Sequence, residues 1–330
     1  MNATTLPMEV FTAASTAISC LFLICNLVGN VLVITVIQRN KKLCNANTLL
    51  LSNLAISDLE FAIQVFINII RLSHNTAHNS VPHFMLHALV SIYTLVALAV
   101  ERFFAILKPF VHLARGDKSL LFKVMLIIWI IAGVLSTPGY ILPTTGSEYA
   151  TGKNNTVNAT IFVPGWIATL GTIYALILLV FGLTLPSALI IFCYSRVIYH
   201  VWFNADANRA TNVALLKSRR NLTKLFILLT IIFLITWTPT FARDIATQYF
   251  VDSKNAWKFE LTALMFGLAG STANPVVYSF RCPRFRQEVI KLLTCCSCRR
   301  RRRPNVSVFF ETNRSRTRAA VEPVLVSFRS

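Results

Sequence analysis

Two carboxylates, Asp58 and Glu60, interrupt an apolar run long enough to cross a lipid bilayer. An ionised acid at the centre of a membrane helix costs about 2.5 to 3.5 kcal/mol on insertion scales, so such a group turns to the inside of a bundle or carries a proton. Asp58 is therefore expected to face neighbouring helices, either as a structural group satisfied by hydroxyls and amides or as a functional intramembrane acid. Glu60 lies about 200° further round a helix, where a neutral, hydrogen-bonded side chain is expected. His74, His78, His83 and His87 are spaced by four, five and four residues, which lets His83 and His87 share a helical face as zinc ligands. With no acid close by and loop-like flanks, that pattern does not amount to enzyme chemistry. Of the eight cysteines, Cys295, Cys296 and Cys298 follow a stretch of alternating basic and apolar residues. In a reducing compartment they read as acylation sites rather than disulfide partners, a metal site being the alternative.

These groups are carried by long apolar elements. Seven stretches, near 15–37, 49–71, 84–106, 122–142, 168–195, 222–246 and 260–280, are continuous enough to span about 30 Å of hydrocarbon as helices, where barrel strands would alternate in segments of about ten residues. The third and seventh are the least apolar. Over the 330 residues, 55% are apolar and 14% charged, with a mean hydropathy of +0.60. That balance excludes a disordered chain, a nucleic-acid-binding globule and a disulfide-stapled secreted module. The fold class is an all-α membrane protein, a seven-transmembrane helix bundle followed by a short amphipathic eighth helix.

Lys and Arg number 32 against 13 Asp and Glu, and their placement sets the topology, because basic residues in short flanking segments stay on the cytoplasmic side. With the N-terminus outside, only Arg71, Lys153, Arg243, Lys254 and Lys258 lie on the outer face. Residues 1–14 are then an extracellular N-terminus, 15–280 the membrane domain, 281–298 an amphipathic helix with its cysteines, and 299–330 a disordered cytoplasmic tail. No cleavable signal sequence is evident, so helix one is expected to direct export. Asn2, Asn154 and Asn158 begin outer-face sequons open to glycosylation. Phe285, Val289, Leu292 and Leu293 recur at helical spacing with Arg284, Arg286 and Lys291 between them, the pattern of a helix lying on membrane lipid. The run Arg299 to Arg303 adds attraction to anionic headgroups.

Prolines recur within the later helices at Pro138, Pro186, Pro239 and Pro275, each removing a backbone donor and loosening its helix. The residues around them form an ordered set: Gly29-Asn30; Asn53 to Asp58; Glu101-Arg102-Phe103; Trp129; Pro186 with Tyr194; Phe233, Trp237 and Pro239, with Thr236 where Cys is usual; and Asn274, Pro275 and Tyr278. In this order, one group per helix, the set resembles that of rhodopsin-like (class A) G-protein-coupled receptors over residues 15–298.

The resemblance implies a plasma-membrane receptor, not an enzyme, that binds an extracellular ligand and activates a heterotrimeric G protein. Glu101, Arg102, Tyr194, Phe233, Trp237, Pro239, Asn274, Pro275 and Tyr278 would carry coupling and activation. Arrestin and a receptor kinase are further implied partners, the tail from Ser307 to Ser330 supplying serines and threonines. Asp58, Ser91, Ser271 and Asn274, with Asn30 nearby, resemble the oxygen-rich pocket that takes an allosteric sodium ion, although Gly270 stands where the family often has Asn. Apart from that ion no cofactor is implied.

Several departures narrow the ligand. Ala77 stands where the family's helix-three cysteine would be, and the loop Thr144 to Pro164 contains no Cys, so no disulfide is expected. Arg219 occupies the place of a Glu that latches the helix-three arginine in some receptors, and the like-charge pair implies ligand-free signalling. Phe84 replaces the amine-pairing Asp and Leu268 the retinal-binding Lys, which disfavours an amine and excludes that light-sensing chemistry. What remains is an outer cleft of Gln64, Asn68 and Arg71 on one face of helix two, with Phe84, His87, Trp237 and Arg243, the last beside Asp244. The stretch Cys193 to Trp202 resembles that of neuropeptide receptors and points to a peptide. A receptor for another small molecule, or an orphan of the same class, is the alternative; a secondary transporter would also bury Asp58, but no internal repeat is visible.

Overall fold

A computed structural model describes residues 5–39, 46–73, 84–109, 118–141, 165–203, 213–250 and 256–298. Asn2, Asn154, Asn158, Ala77, His74, His78 and His83 lie outside these residues. The described residues are helical without a strand among them: α1 (Thr5–Arg39), α2 (Ala46–Ser73), α3 (Met85–Leu107), α4 (Lys118–Ser136), the single turn α5 (Pro138–Ile141), α6 (Gly165–Ile177), α7 (Leu185–Ile198), α8 (Val213–Tyr249), α9 (Ala256–Arg281) and α10 (Pro283–Cys298). α6 and α7 are halves of one long helix joined by a π segment, Leu178–Thr184, with a second, Tyr199–Phe203, at its end.

Six of these helices are long and apolar enough to cross a membrane. α9, at 26 residues, has the length but carries Ser271, Thr272 and Asn274 in its second half, which is why its apolar signal is the weakest. The outer faces are what a lipid solvent requires: Leu126, Ile130 and Val134 recur along α4 and are each more than half exposed, a placement that water would penalise. The inner faces bury Leu50, Leu54 and Phe61 of α2, Leu89, Leu95 and Leu98 of α3, and Phe226 and Leu229 of α8.

α3 is the hub, packing against α2, α4, α7 and α8, while α9 packs against α1, α2 and α8. Two glycines make the closest approaches possible. A Cβ on Gly29 would stand 2.8 Å from the Pro275 ring, so α1 and α9 touch backbone to side chain there, and one on Gly182 would stand 2.7 Å from Phe241.

The prolines act differently from one another. α4 ends at Ser136 and Pro138 opens α5, so Pro138 terminates its helix and provides no hinge within it. Pro186 follows the π segment; lacking an N–H for the carbonyl four residues back, it leaves the preceding turn widened, and the Thr184 hydroxyl donates to Leu179 O at 2.8 Å. Pro239 and Pro275 sit inside α8 and α9. α8 also runs well past the expected 222–246, because Lys217, Arg219 and Arg220 are good helix formers that continue it beyond the apolar window. The body of the fold extends to Gln287. Glu288–Ser330 is a separate unit whose described part completes α10, with a Lys291–Glu288 ion pair at 2.8 Å.

Candidate functional site

Asp58 is 1% exposed, in the inner half of α2. Asn274 of α9 approaches its Oδ2 at 2.9 Å, and because a carboxylate oxygen only accepts, it is the amide N–H that faces it. The other carboxylate oxygen lies 3.7 Å from Nε2 of His87. Nδ1 of that ring is 2.8 Å from the Ser57 carbonyl oxygen and 2.8 Å from the Ser57 hydroxyl. A carbonyl can only accept, so Nδ1 carries a hydrogen, and Nε2 is left to meet the Ser271 hydroxyl at 3.1 Å. Ser91 closes the group with its hydroxyl 3.4 Å from that of Ser57. One buried cluster thus joins α2, α3 and α9.

A second junction lies one and a half turns along α2. The Asn53 amide donates to Thr94 Oγ1 of α3 at 2.8 Å and its oxygen accepts from the Trp129 indole of α4 at 3.0 Å. Both ends of one amide are satisfied by two other helices, an arrangement worth about 1 kcal/mol per bond and costly to break on one side only.

Above the Asp58 cluster lies an aromatic group. His87 stacks on Phe61, ring centroids 4.6 Å apart and nearly parallel, and stands 4.8 Å from Trp237. Phe61 also meets Phe84 edge to face at 5.0 Å, and Phe233 stacks on Trp237 at 6.1 Å. His87 was expected to line the outer cleft with Gln64 and Arg243. Its ring is instead 0% exposed and hydrogen-bonded into the Asp58 cluster, because His87 lies four residues before Ser91 and so shares its face of α3. Phe84 and Trp237 are likewise buried, at 7% and 2% exposed. Gln64 and Asn68 are half-buried on α2, and Gln64 gives its amide hydrogen to Glu60 within the helix. Arg243 is buried near the end of α8. The side chains of Arg71 and Asp244 lie outside those described.

At the other end of α3, Arg102 is 7% exposed with its guanidinium 5.7 Å over the Phe226 ring of α8. Its Nε has no hydrogen-bond partner among the described residues, while the nearby Tyr194 hydroxyl faces Thr230. The charge of Glu101 acts on Arg102 favourably and that of Arg219 unfavourably, as the like-charge pair requires. α8 is tied instead to the fifth spanning helix. Arg220 donates to the Val201 carbonyl at 3.0 Å and lies 5.5 Å over the Trp202 ring, beside an apolar plug of Ile106, Val197 and Val201.

Residues 29–278 match the model of the 7 transmembrane receptor (rhodopsin family). The chain belongs to this family. The receptor is accordingly a multi-pass membrane protein, and its family is one of receptors rather than enzymes. It is 24% identical over 284 residues to tachykinin-like peptides receptor 86C of Drosophila melanogaster, covering 81% of the present chain but 56% of that protein. It is 25% identical over 292 residues to galanin receptor 2b of Danio rerio, covering 85% and 75%. With somatostatin receptor type 4 of Rattus norvegicus the identity is 28% over 299 residues, covering 87% and 75%. The receptor therefore spans little more than half the length of some curated relatives it matches.

The family's sodium pocket can be tested against these side chains. A hard cation takes oxygen ligands, but Asn274 turns its N–H toward Asp58; Asn30 gives its amide hydrogens to Asn26 at 3.1 and 3.2 Å and keeps a buried Oδ1 with no partner among the described residues. Gly270 supplies no side chain, and none fits there, since a Cβ would stand 2.2 Å from the Thr236 hydroxyl. The Ser57, Ser91 and Ser271 hydroxyls are bonded within the cluster and a ring nitrogen of His87 stands 3.7 Å from Asp58, so the residues present do not fit sodium. Among the described residues no group of three or more His, Cys, Asp or Glu side chains could hold another metal. Cys20, Cys25, Cys193 and Cys282 are free thiols, whereas the side chains of Cys295, Cys296 and Cys298 lie outside those described. Sequence reasoning missed Phe61, which its place three residues after Asp58 puts on the same face of α2.

Proposed function

We propose that the receptor sits in the plasma membrane with its N-terminus outside, binds an extracellular peptide and activates a heterotrimeric G protein. One observation carries the coupling half of this reading. Arg102 is buried at one end of the bundle with an Nε that has no partner among the described residues. A donor held in that state is ready to meet the carbonyls of an inserted helix, and an arginine fork suits such acceptors better than a lysine. The excess of basic residues on this side of the membrane supports its facing the cytosol.

The peptide half rests on likeness. The matched relatives are named as receptors for tachykinin-like peptides, galanin and somatostatin, and the Phe84 position lacks the acid that would pair with an amine. Arg243 at the far end of α8, with Gln64 and Asn68 on α2, provides polar contacts for a hydrogen-bonding ligand. Arrestin, a receptor kinase and inner-leaflet lipid belong to the same reading, with acylation at Cys295, Cys296 and Cys298 and glycosylation at Asn2, Asn154 and Asn158.

The test is G-protein activation in cells expressing the full chain and challenged with a peptide library, Arg102→Ala serving as control. A peptide that activates the native receptor and not the variant supports the proposal. Activation that survives Arg102→Ala, or a response confined to small molecules, refutes the corresponding half.

A further inference from the structure

We propose that His87 stands in for the cation of this pocket: its imidazole clasps α2, α3 and α9 together, so that sodium does not regulate this receptor. The ring reaches all three helices. Nδ1 hydrogen-bonds the Ser57 carbonyl on α2, Nε2 meets Ser271 on α9 at 3.1 Å, and the Cα from which both are reached belongs to α3. Nε2 also stands 3.7 Å from Asp58, the carboxylate that an ion would neutralise. One face of the ring is fixed as well as its edges, since Phe61 is stacked on it at 4.6 Å and Trp237, tilted to the ring and itself 5.2 Å from Phe61, lies 4.8 Å away.

Two further features point the same way. The oxygen shell that an ion requires is depleted at Asn274, which turns nitrogen inward, and at Gly270, where the contact with Thr236 leaves no room for a side chain. The three hydroxyls nearest the ring are also engaged: Ser57 and Ser271 with its nitrogens, and Ser91 with Ser57. The cluster is therefore a hydrogen-bonded closure made of the chain's own groups, and a hard cation entering it would have to displace an imidazole bonded at both nitrogens and stacked on Phe61.

The consequence can be read without knowing the ligand. The purified full-length receptor is melted in NaCl, KCl and N-methyl-D-glucamine chloride at matched ionic strength. Native protein is expected to show one Tm in all three. His87→Asn replaces the ring by a shorter side chain with an amide oxygen and is expected to gain a saturable, sodium-specific rise of about 2 °C or more, which a second change, Asp58→Asn, removes. A sodium-specific rise in the native receptor overturns the proposal outright. No gain in His87→Asn, or in His87→Ser should the first variant not be recovered folded, overturns the claim that the ring excludes the ion. The readout is stability, so loss of G-protein activation would count against the coupling proposal and leave this one standing.

Discussion

The middle of the bundle and its Arg102 end treat buried polar groups in opposite ways. Around Asp58 and Asn53, amides, hydroxyls and ring nitrogens from three and four helices satisfy one another. At Arg102, a guanidinium nitrogen is buried with no partner among the described residues. A buried donor left unmade costs about 1 to 3 kcal/mol, so the second arrangement is strain the fold tolerates rather than support it gains. The difference implies a division of labour: the middle holds the resting bundle together, and the end is kept ready for a group supplied from elsewhere.

The sharpest way to break this comparison is Arg102→Ala. Losing a charge-assisted contact worth about 1.5 to 3 kcal/mol should lower G-protein activation roughly ten- to hundred-fold. The variant should melt only a few degrees below the native receptor, because it loses the contact with the Phe226 ring, about 0.5 to 1 kcal/mol, and no intramolecular hydrogen bond of the Nε. A large fall in Tm would show that Arg102 is structural after all. Asn53→Leu is the converse case. It strands the Trp129 indole, Thr94 keeping its bond to the Val90 carbonyl, and should lower stability by about 1 to 3 kcal/mol, seen as a reduced Tm before any effect on coupling.

Gly270→Ala comes next. A Cβ 2.2 Å from the Thr236 hydroxyl must push α8 and α9 apart, at a cost of about 1 to 3 kcal/mol, and trimming Thr236 to Ala in the same chain should restore part of the lost Tm, the Cβ of residue 236 at 2.9 Å remaining. The smallest effect is expected at Arg220. Arg220→Gln removes the cation–π contact with Trp202 and the bond to Val201, about 0.5 to 1 kcal/mol, and should raise ligand-free signalling severalfold at most while leaving Tm nearly unchanged. Equal basal signalling in the two proteins would show that this tie does not restrain α8.

Much of this arrangement could be read in the chain before it was seen folded. Runs of apolar residues located the spanning helices, and the penalty on a charge in hydrocarbon put Asp58 inside. The misplacement of His87 has a plain cause. It lies near the start of α3, where position along the chain suggested a cleft, but its spacing from Ser91 puts it on the inward face, and spacing should have outweighed depth. Phe61 escaped notice because an apolar residue in an apolar run carries no signal of its own; only its offset from Asp58 marks it. Pro186 announced a disturbed helix without saying that the turn before it would widen, since proline removes a donor but does not dictate how the freed carbonyls are reshared. Neither the direction of the Asn274 amide nor the closed contact at Gly270 is visible in composition or period, because both depend on what another helix brings opposite.

The widened turn at Leu178–Thr184 has an effect beyond its own hydrogen bonds. A π turn holds one more residue than the α turn it replaces, so everything from Leu185 onward is rotated by about 100° against the indexing that an uninterrupted helix would give. Side chains in Gly165–Ile177 and Leu185–Ile198 that a helical wheel draws on one stripe therefore point in different directions. A substitution scan of this helix, or a comparison with a relative that lacks the extra residue, has to slip its count by one at that place or it will assign lipid-facing positions to the interior.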